Sequence, residues 1–222
     1  MSMEAGLARL REFWEWLYAD MLDWCRGRSW EVRLLLWLYV AYLAYCQLAD
    51  PMSWNALQSL NLPIHEGGHL LFRMFGEFMH VAGGTILQLA APLFSMVMFL
   101  KQRDYFAITF CFGWLSTNFV SMSVYMQDAL RQALPLVSAE GGGDGEGMII
   151  HDWHWLFGHL GLLQHCEAIG WMVRMLGHLS MLLCLAGGVW LMVQMQLSRT
   201  RKEKAGSPGS PGATFPESKY RR

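Results

Sequence analysis

The sequence predicts an all-α, multi-pass membrane helix bundle. Of its 222 residues, 54% are hydrophobic and 16% are Asp, Glu, Lys or Arg, whereas about 25% of the residues of an ordinary soluble domain are charged. Four apolar stretches each approach the roughly 20 residues that a helix needs to cross a bilayer. Tryptophans fall near the ends of these stretches, as the aromatic belt of a membrane protein requires, at Trp30, Trp54, Trp171 and Trp190.

The four predicted spans are residues 32–49, 80–100, 104–126 and 171–195. The first is the shortest, because a helix of about 18 residues is roughly 27 Å long and only just covers the hydrocarbon core. The other three are longer, and each is apolar along most of its length. We therefore expect four spans, with five as the alternative.

Basic residues predict the orientation of these spans. The turn 101–103 reads KQR and the C-terminal tail is rich in Lys and Arg, whereas the loop 127–150 is acidic. Because cytoplasmic segments carry the excess of Lys and Arg, four spans with both termini in the cytoplasm fit all three segments. The helix predicted over 55–78 must then be re-entrant or lie against the bundle. Five spans would place the N-terminus outside, which its mixed charge permits.

Three regions follow along the chain. Residues 1–31 contain an apolar stripe with three- and four-residue spacing, which predicts an amphipathic helix in the membrane interface or docked on protein. Residues 32–197 form the membrane-embedded region. Residues 198–222 are predicted to be a disordered, basic cytoplasmic tail because they are polar and rich in Gly, Pro and Ser. We expect an integral protein of the plasma (inner) membrane of a bacterium.

The segment NLPIHEGGHL contains the pattern H-E-x-x-H at His65, Glu66 and His69. Residues four apart lie on one face of a helix, so the two imidazoles can bind one ion together. Zinc lowers the pKa of a bound water toward about 7, and the carboxylate of Glu66 is placed to accept its proton. The pattern therefore predicts a Zn²⁺ site with His65 and His69 as ligands and Glu66 as catalytic base.

Two glycines of the HEGGH segment and one asparagine of a predicted span also require an explanation. Gly67 and Gly68 each cost a helix about 1 kcal/mol relative to Ala, which predicts close approach by another helix or by a substrate backbone. Asn118 lies within a predicted span, where a polar side chain usually bonds a neighbouring helix; a substrate backbone is the alternative.

HEGGHLLFRMFG at residues 65–76 and HVAGGTILQLAAPL at 80–93 resemble the site-2 protease family of intramembrane zinc metalloproteases. That family shares a hydrophobic H-E-x-G-H helix, a glycine a turn or two later and a Gly-Gly stretch. The resemblance covers residues 61–94 and implies a zinc endopeptidase acting on membrane-protein segments. It also implies an Asp as third ligand, but the Asn-Pro-rich, Asp-Gly-containing motif that supplies it in the family is absent here.

The third ligand is therefore predicted from the residues themselves. The best candidate is Asp152, in the HDWH sequence that begins a helix predicted over 151–170, because Asp is the ligand type that the resemblance implies. His151 and Asp128 are the alternates, and Glu167 is a more distant one. An Asp at the start of a helix can also serve merely as its N-cap.

Other functions remain compatible with the sequence. The histidines over 151–165 superficially suit a di-iron membrane oxygenase, although no two histidines are adjacent. A zinc hydrolase acting on lipid would use the same activated water. A non-catalytic membrane scaffold would have no need of Glu66. The expected partners are the lipid bilayer and a membrane-protein substrate, whereas the net charge of −1 gives no overall field for nucleic acid.

Overall fold

The computed structural model describes residues 3–134 and 151–205, and these are helical without a β-strand, which confirms the all-α fold class. Most of the acidic loop and the end of the predicted tail lie outside the described residues. The described helices are α1 (Met3–Cys25), α2 (Glu31–Ala49), α3 (Ala56–Phe72), α4 (Glu77–Lys101), α5 (Tyr105–Gln127), α6 (Asp152–Leu160) and α7 (Cys166–Ala205), with short 3₁₀ turns at Arg73–Phe75 and Leu163–His165.

Four of the described helices are long and apolar enough to cross a membrane: α2, α4, α5 and α7. They coincide with the four predicted spans, and their most apolar stretches have mean hydropathies of 1.3 to 1.8. Helix α3, which carries the H-E-x-x-H pattern, is not among them. The four-span prediction thus agrees with the helices that the structure describes.

Two helix boundaries differ from the sequence prediction. The stretch 151–170 is not one helix, because Gly161 adopts a left-handed conformation (φ 68°) and ends α6. Helix α7 continues to Ala205, past the predicted start of the tail at Ser198. The hydroxyl of Ser198 donates to the Met195 carbonyl at 2.7 Å, and Arg199 pairs with Glu31 at 2.8 Å. These contacts favour helix beyond the last apolar turn.

The chain divides into two compact units. One combines the N-terminal segment up to Leu35 with the chain from Val189 onward, and within it Trp30 donates to Gln196 at 2.8 Å. The other, Leu36–Gly188, contains all of the predicted site residues.

Helices α3 and α4 approach each other so closely that glycine is required at their contact. A Cβ at Gly68 would overlap the Gly83 carbonyl, and a Cβ at Gly83 would collide with the Gly68 carbonyl. A Cβ at Gly67 would instead lie 3.9 Å from Leu87, an ordinary van der Waals contact. The close approach of another helix therefore explains Gly68, but it does not explain Gly67.

The two neighbouring glycines should respond differently to the same substitution. Gly68→Ala should destabilise the protein by about 1–3 kcal/mol because the methyl group would force the two backbones apart. Gly67→Ala should be neutral or stabilising by up to about 1 kcal/mol, because Ala favours helix. Thermal unfolding of both variants in detergent with a metal chelator checks this, and equal effects of the two substitutions would contradict the helix contact.

Candidate metal centre

The structure brings His65, His69 and Asp152 together. The two histidines occupy successive turns of α3, and Asp152 is the first residue of α6. The Asp152 carboxylate oxygen Oδ2 lies 3.0 Å from Nε2 of His65 and 3.4 Å from Nε2 of His69. One ligand atom from each residue lies within 4.8 Å of the others, which makes this a candidate site for a metal ion.

The separations between Asp152 and the two imidazoles fit a tetrahedral zinc ion. Two donors that each lie about 2.1 Å from such an ion are roughly 3.4 Å apart. The separations of 3.0 and 3.4 Å between Asp152 Oδ2 and the two imidazole nitrogens are close to that value. Two imidazoles and a carboxylate are also a ligand set that leaves a fourth position open, as a catalytic zinc site requires.

Hydrogen bonds at Nδ1 hold the rings of both histidines, whereas Asp152 contacts their Nε2 atoms. Nδ1 of His69 lies 2.9 Å from the His80 carbonyl, which can only accept, so this nitrogen carries the proton. Nδ1 of His65 lies 2.9 Å from Oε1 of Gln88 and donates to it. In the neutral form of each ring the proton is therefore on Nδ1, and Nε2 has the lone pair that a metal binds.

The amide of Gln88 is oriented in turn by Asn118, which is completely buried on α5. Nε2 of Gln88 donates to Oδ1 of Asn118 at 3.3 Å, and Nδ2 of Asn118 donates to the Gln88 backbone carbonyl at 2.8 Å. The expectation that Asn118 bonds a neighbouring helix is confirmed. Because its Nε2 is engaged by Asn118, Gln88 presents its oxygen to His65, as the Nδ1 proton of that histidine requires.

Gly84 leaves the space in front of the two imidazoles. A Cβ at this position would lie 2.6 Å from Nε2 of His65 and 2.7 Å from Nε2 of His69, closer than side-chain atoms approach one another. Any residue other than glycine would therefore displace the two rings, so their position depends on the absence of a side chain at residue 84.

Electrostatics at the site favour a cation. Burial alone would raise the pKa of Asp152, but hydrogen bonds with His65 and His69 outweigh burial and lower it. The hydrogen bond with Asp152 raises the pKa of His69 to about 9, against the opposing effect of burial. Asp152 therefore stays ionised and stabilises positive charge between the imidazoles.

Glu66 is half-buried beside this group. Among the described residues it has no hydrogen-bond or ion-pair partner, and its charge contributes to the raised pKa of His69. A carboxylate that lies near the ligands without a structural partner is suited to accept a proton from a water molecule.

The alternate ligands lie together, but away from the two histidines of α3. His151 is the N-cap of α6, since its Nδ1 accepts from the backbone N–H of His154 at 3.2 Å. Asp128 accepts two backbone N–H groups from the turn after α5, at 2.9 and 3.0 Å, and lies 3.6 Å from His151. His151 therefore has the capping role considered for Asp152, and Glu167 is exposed on α7.

The remaining histidines of the 151–165 stretch do not converge on a second site. His154 bonds the Ala129 carbonyl at 2.8 Å, and His159 is exposed and stacks on Trp155. His80 donates to the His69 carbonyl at 2.8 Å, near the end of α3. Within residues 3–134 and 151–205, the ligand cluster is His65, His69 and Asp152.

Gln88 and Gly84 were not predicted from the sequence. The signal that could have found them is their spacing, because His80, Gly84 and Gln88 are each four residues apart on α4. They form a stripe that faces the corresponding stripe on α3, and the glycine contact between the helices brings the two stripes together.

A cavity of about 220 Å³ adjoins His65. Its walls come from α3, α4, α5 and α6, and they combine amide, hydroxyl and aromatic side chains. The lining residues are Gln58, Asn61, Leu62, His65, Thr85, Gln88, Ser121, Met122, Tyr125 and Trp153.

Comparison of the chain with models of protein families, with curated proteins and with solved structures finds no match. The resemblance of residues 61–94 to site-2 proteases stays a prediction from the motif.

Two carboxylates provide a matched test of the ligand set. Asp152→Asn should lower zinc affinity by more than about 100-fold, since loss of a group that only supports a ligand already costs 10–100-fold. Asp128→Asn removes an equally buried carboxylate and should leave the zinc content unchanged. Zinc per chain in the purified proteins, measured by mass spectrometry, distinguishes them. Zinc lost only from the Asp128 variant would assign the site to the alternates.

The same measurement tests the space at Gly84. Gly84→Ala should reduce the zinc content, because its methyl group would occupy the region between the two Nε2 atoms. Gly67→Ala is the matched control, since it adds a methyl group on the ligand helix in ordinary van der Waals contact.

Proposed function

We propose that this protein is an intramembrane zinc metalloprotease that hydrolyses peptide bonds in membrane-protein segments. His65, His69 and Asp152 hold Zn²⁺, and Glu66 is the catalytic base. The observation that supports the proposal most strongly is the convergence of two Nε2 atoms and one carboxylate oxygen. Both imidazoles are also oriented by hydrogen bonds at Nδ1.

Zn²⁺ held by His65, His69 and Asp152 would supply a Lewis acid that activates a water and polarises the peptide carbonyl. Glu66 accepts a proton from the water, and the oxygen of this water bonds to the carbonyl carbon of the peptide. The carbon–nitrogen bond then breaks, and Glu66 returns the proton to the leaving nitrogen. The products are a carboxylic acid and an amine, which become a carboxylate and an ammonium group when the acid proton passes to the amine.

Three observations favour this chemistry over its rivals. A di-iron oxygenase needs a larger set of converging histidines, and His151, His154 and His159 have other partners. A scaffold would not need a carboxylate without a structural partner next to the ligands. A lipid hydrolase would use the same water, but the amide and hydroxyl groups among the apolar walls of the cavity can bond a peptide backbone.

We further propose that the protein is a multi-pass component of a bacterial plasma (inner) membrane. Helices α2, α4, α5 and α7 would be the four spans, with both termini in the cytoplasm. Their length and hydropathy support this arrangement, as does the basic turn between α4 and α5. Helix α3 would lie against the bundle, with the active site in the membrane-embedded region.

Glu66→Gln should keep zinc and lose hydrolysis, because the amide cannot accept the proton from water. The loss should be at least about 100-fold, the usual contribution of a general base. Wild type and variant would each be co-expressed with a panel of single-span membrane proteins, and the fragments would be detected by immunoblot. Glu77→Gln, at an exposed position on α4, is the control and should cleave normally.

Undiminished cleavage by the Glu66 variant would remove the base from the mechanism. If the wild type produces no fragments but releases fatty acid from membrane lipid, the result favours the lipid hydrolase instead.

The orientation is tested with cysteines introduced at Ser138 and Ser207. A membrane-impermeant maleimide applied to intact spheroplasts should label position 138 only, and position 207 should react after lysis. The unaltered chain, with its native cysteines, measures the background. Labelling of both positions from the same side would contradict four spans with both termini in the cytoplasm.

A further inference from the structure

Two residues that line the cavity each have a buried hydrogen-bond donor without an acceptor among the described residues. The donors are Nδ2 of Asn61 and Nε1 of Trp153. Asn61 is only 5% exposed. A buried donor without an acceptor is costly, and such groups are uncommon in folded proteins. Two such residues next to one cavity, which His65 also lines, require an explanation.

The orientation of the Asn61 amide is not arbitrary. The indole Nε1 of Trp114 donates to Oδ1 of Asn61 at 2.7 Å. An indole N–H can only donate, so the amide oxygen must face Trp114. The NH₂ group is consequently the end of the side chain that is left for another partner.

Asn61 lies one helical turn before His65 and two before His69, on the same stripe of α3. Four residues of helix rise about 6 Å. An extended peptide advances about 3.3–3.6 Å per residue. The Asn61 amide is therefore about two substrate residues away from a peptide bond at the metal ligands.

We propose that the cavity is a subsite for an extended peptide segment, in which Asn61 and Trp153 donate to backbone carbonyls of the substrate. This inference rests on the proposed function and specifies its substrate class. In a helix the carbonyls are already bonded within the helix, whereas an extended segment leaves them free to accept. The two donors thus select a segment that has unwound near the site, and they do so independently of its side chains.

Hydroxamates test this subsite without knowledge of the natural substrate. Acetohydroxamate binds the metal alone. Two peptide hydroxamates, each carrying a Leu-Ala unit on a different side of the zinc-binding group, bind the metal and reach the cavity. The dissociation constants of all three are measured on the zinc-loaded, detergent-purified protein. At least one peptide hydroxamate should bind the wild type more tightly than acetohydroxamate.

Two variants each remove one donor. Asn61→Asp keeps an oxygen for Trp114, and Trp153→Phe keeps an aromatic ring. Each should weaken the peptide hydroxamate relative to acetohydroxamate by about fivefold or more, as expected for one lost hydrogen bond. The ratio cancels effects on the metal itself. Asn55→Asp is the control, because the Asn55 Nδ2 is also buried and unpartnered, but Asn55 is the N-cap of α3 and does not line the cavity.

The outcomes separate this inference from the proposed function. If the wild type binds zinc and all three hydroxamates but neither variant changes the ratio, the subsite is wrong and the metal centre stands. If the peptide unit adds no affinity to the wild type, the subsite is also wrong. If the wild type binds neither zinc nor acetohydroxamate, the proposed function fails and the subsite with it.

Discussion

The close contact between α3 and α4 is the constraint on which the rest of the site depends. Gly68 and Gly83 allow the two backbones to approach until a single methyl group would not fit between them. At that distance, α4 can bond the imidazoles of α3 directly through the His80 carbonyl and the Gln88 side chain. A wider separation would leave both Nδ1 atoms without these partners, and the Nε2 atoms would not be held in one direction.

The third component of the site comes from a different part of the chain. Asp152 begins α6, and a buried carboxylate is expensive unless opposite charge compensates it. Its two imidazole partners lower its pKa despite burial, so the group is arranged around a positive charge. His151 and Asp128 stabilise the chain near Asp152. His151 caps the start of α6, and Asp128 accepts a backbone N–H of the turn after α5.

The helical architecture could be predicted because hydropathy and charge are local properties of the chain. His65, Glu66 and His69 could be predicted because their spacing on one helix is itself the signal. Asp152 could only be ranked above His151, since the approach of α6 to α3 depends on tertiary packing that no local pattern contains. Asn61 was missed for a similar reason, because its importance arises from Trp114, which is distant in sequence.

We propose that two imidazoles and one carboxylate bind a single zinc ion, and X-ray absorption at the zinc edge of the purified protein tests this ligand set. We expect about four nitrogen or oxygen neighbours near 2.0–2.1 Å, the outer-shell scattering of two imidazoles and no sulfur. A sulfur neighbour near 2.3 Å, a second metal, or scattering from three or more imidazoles would contradict it.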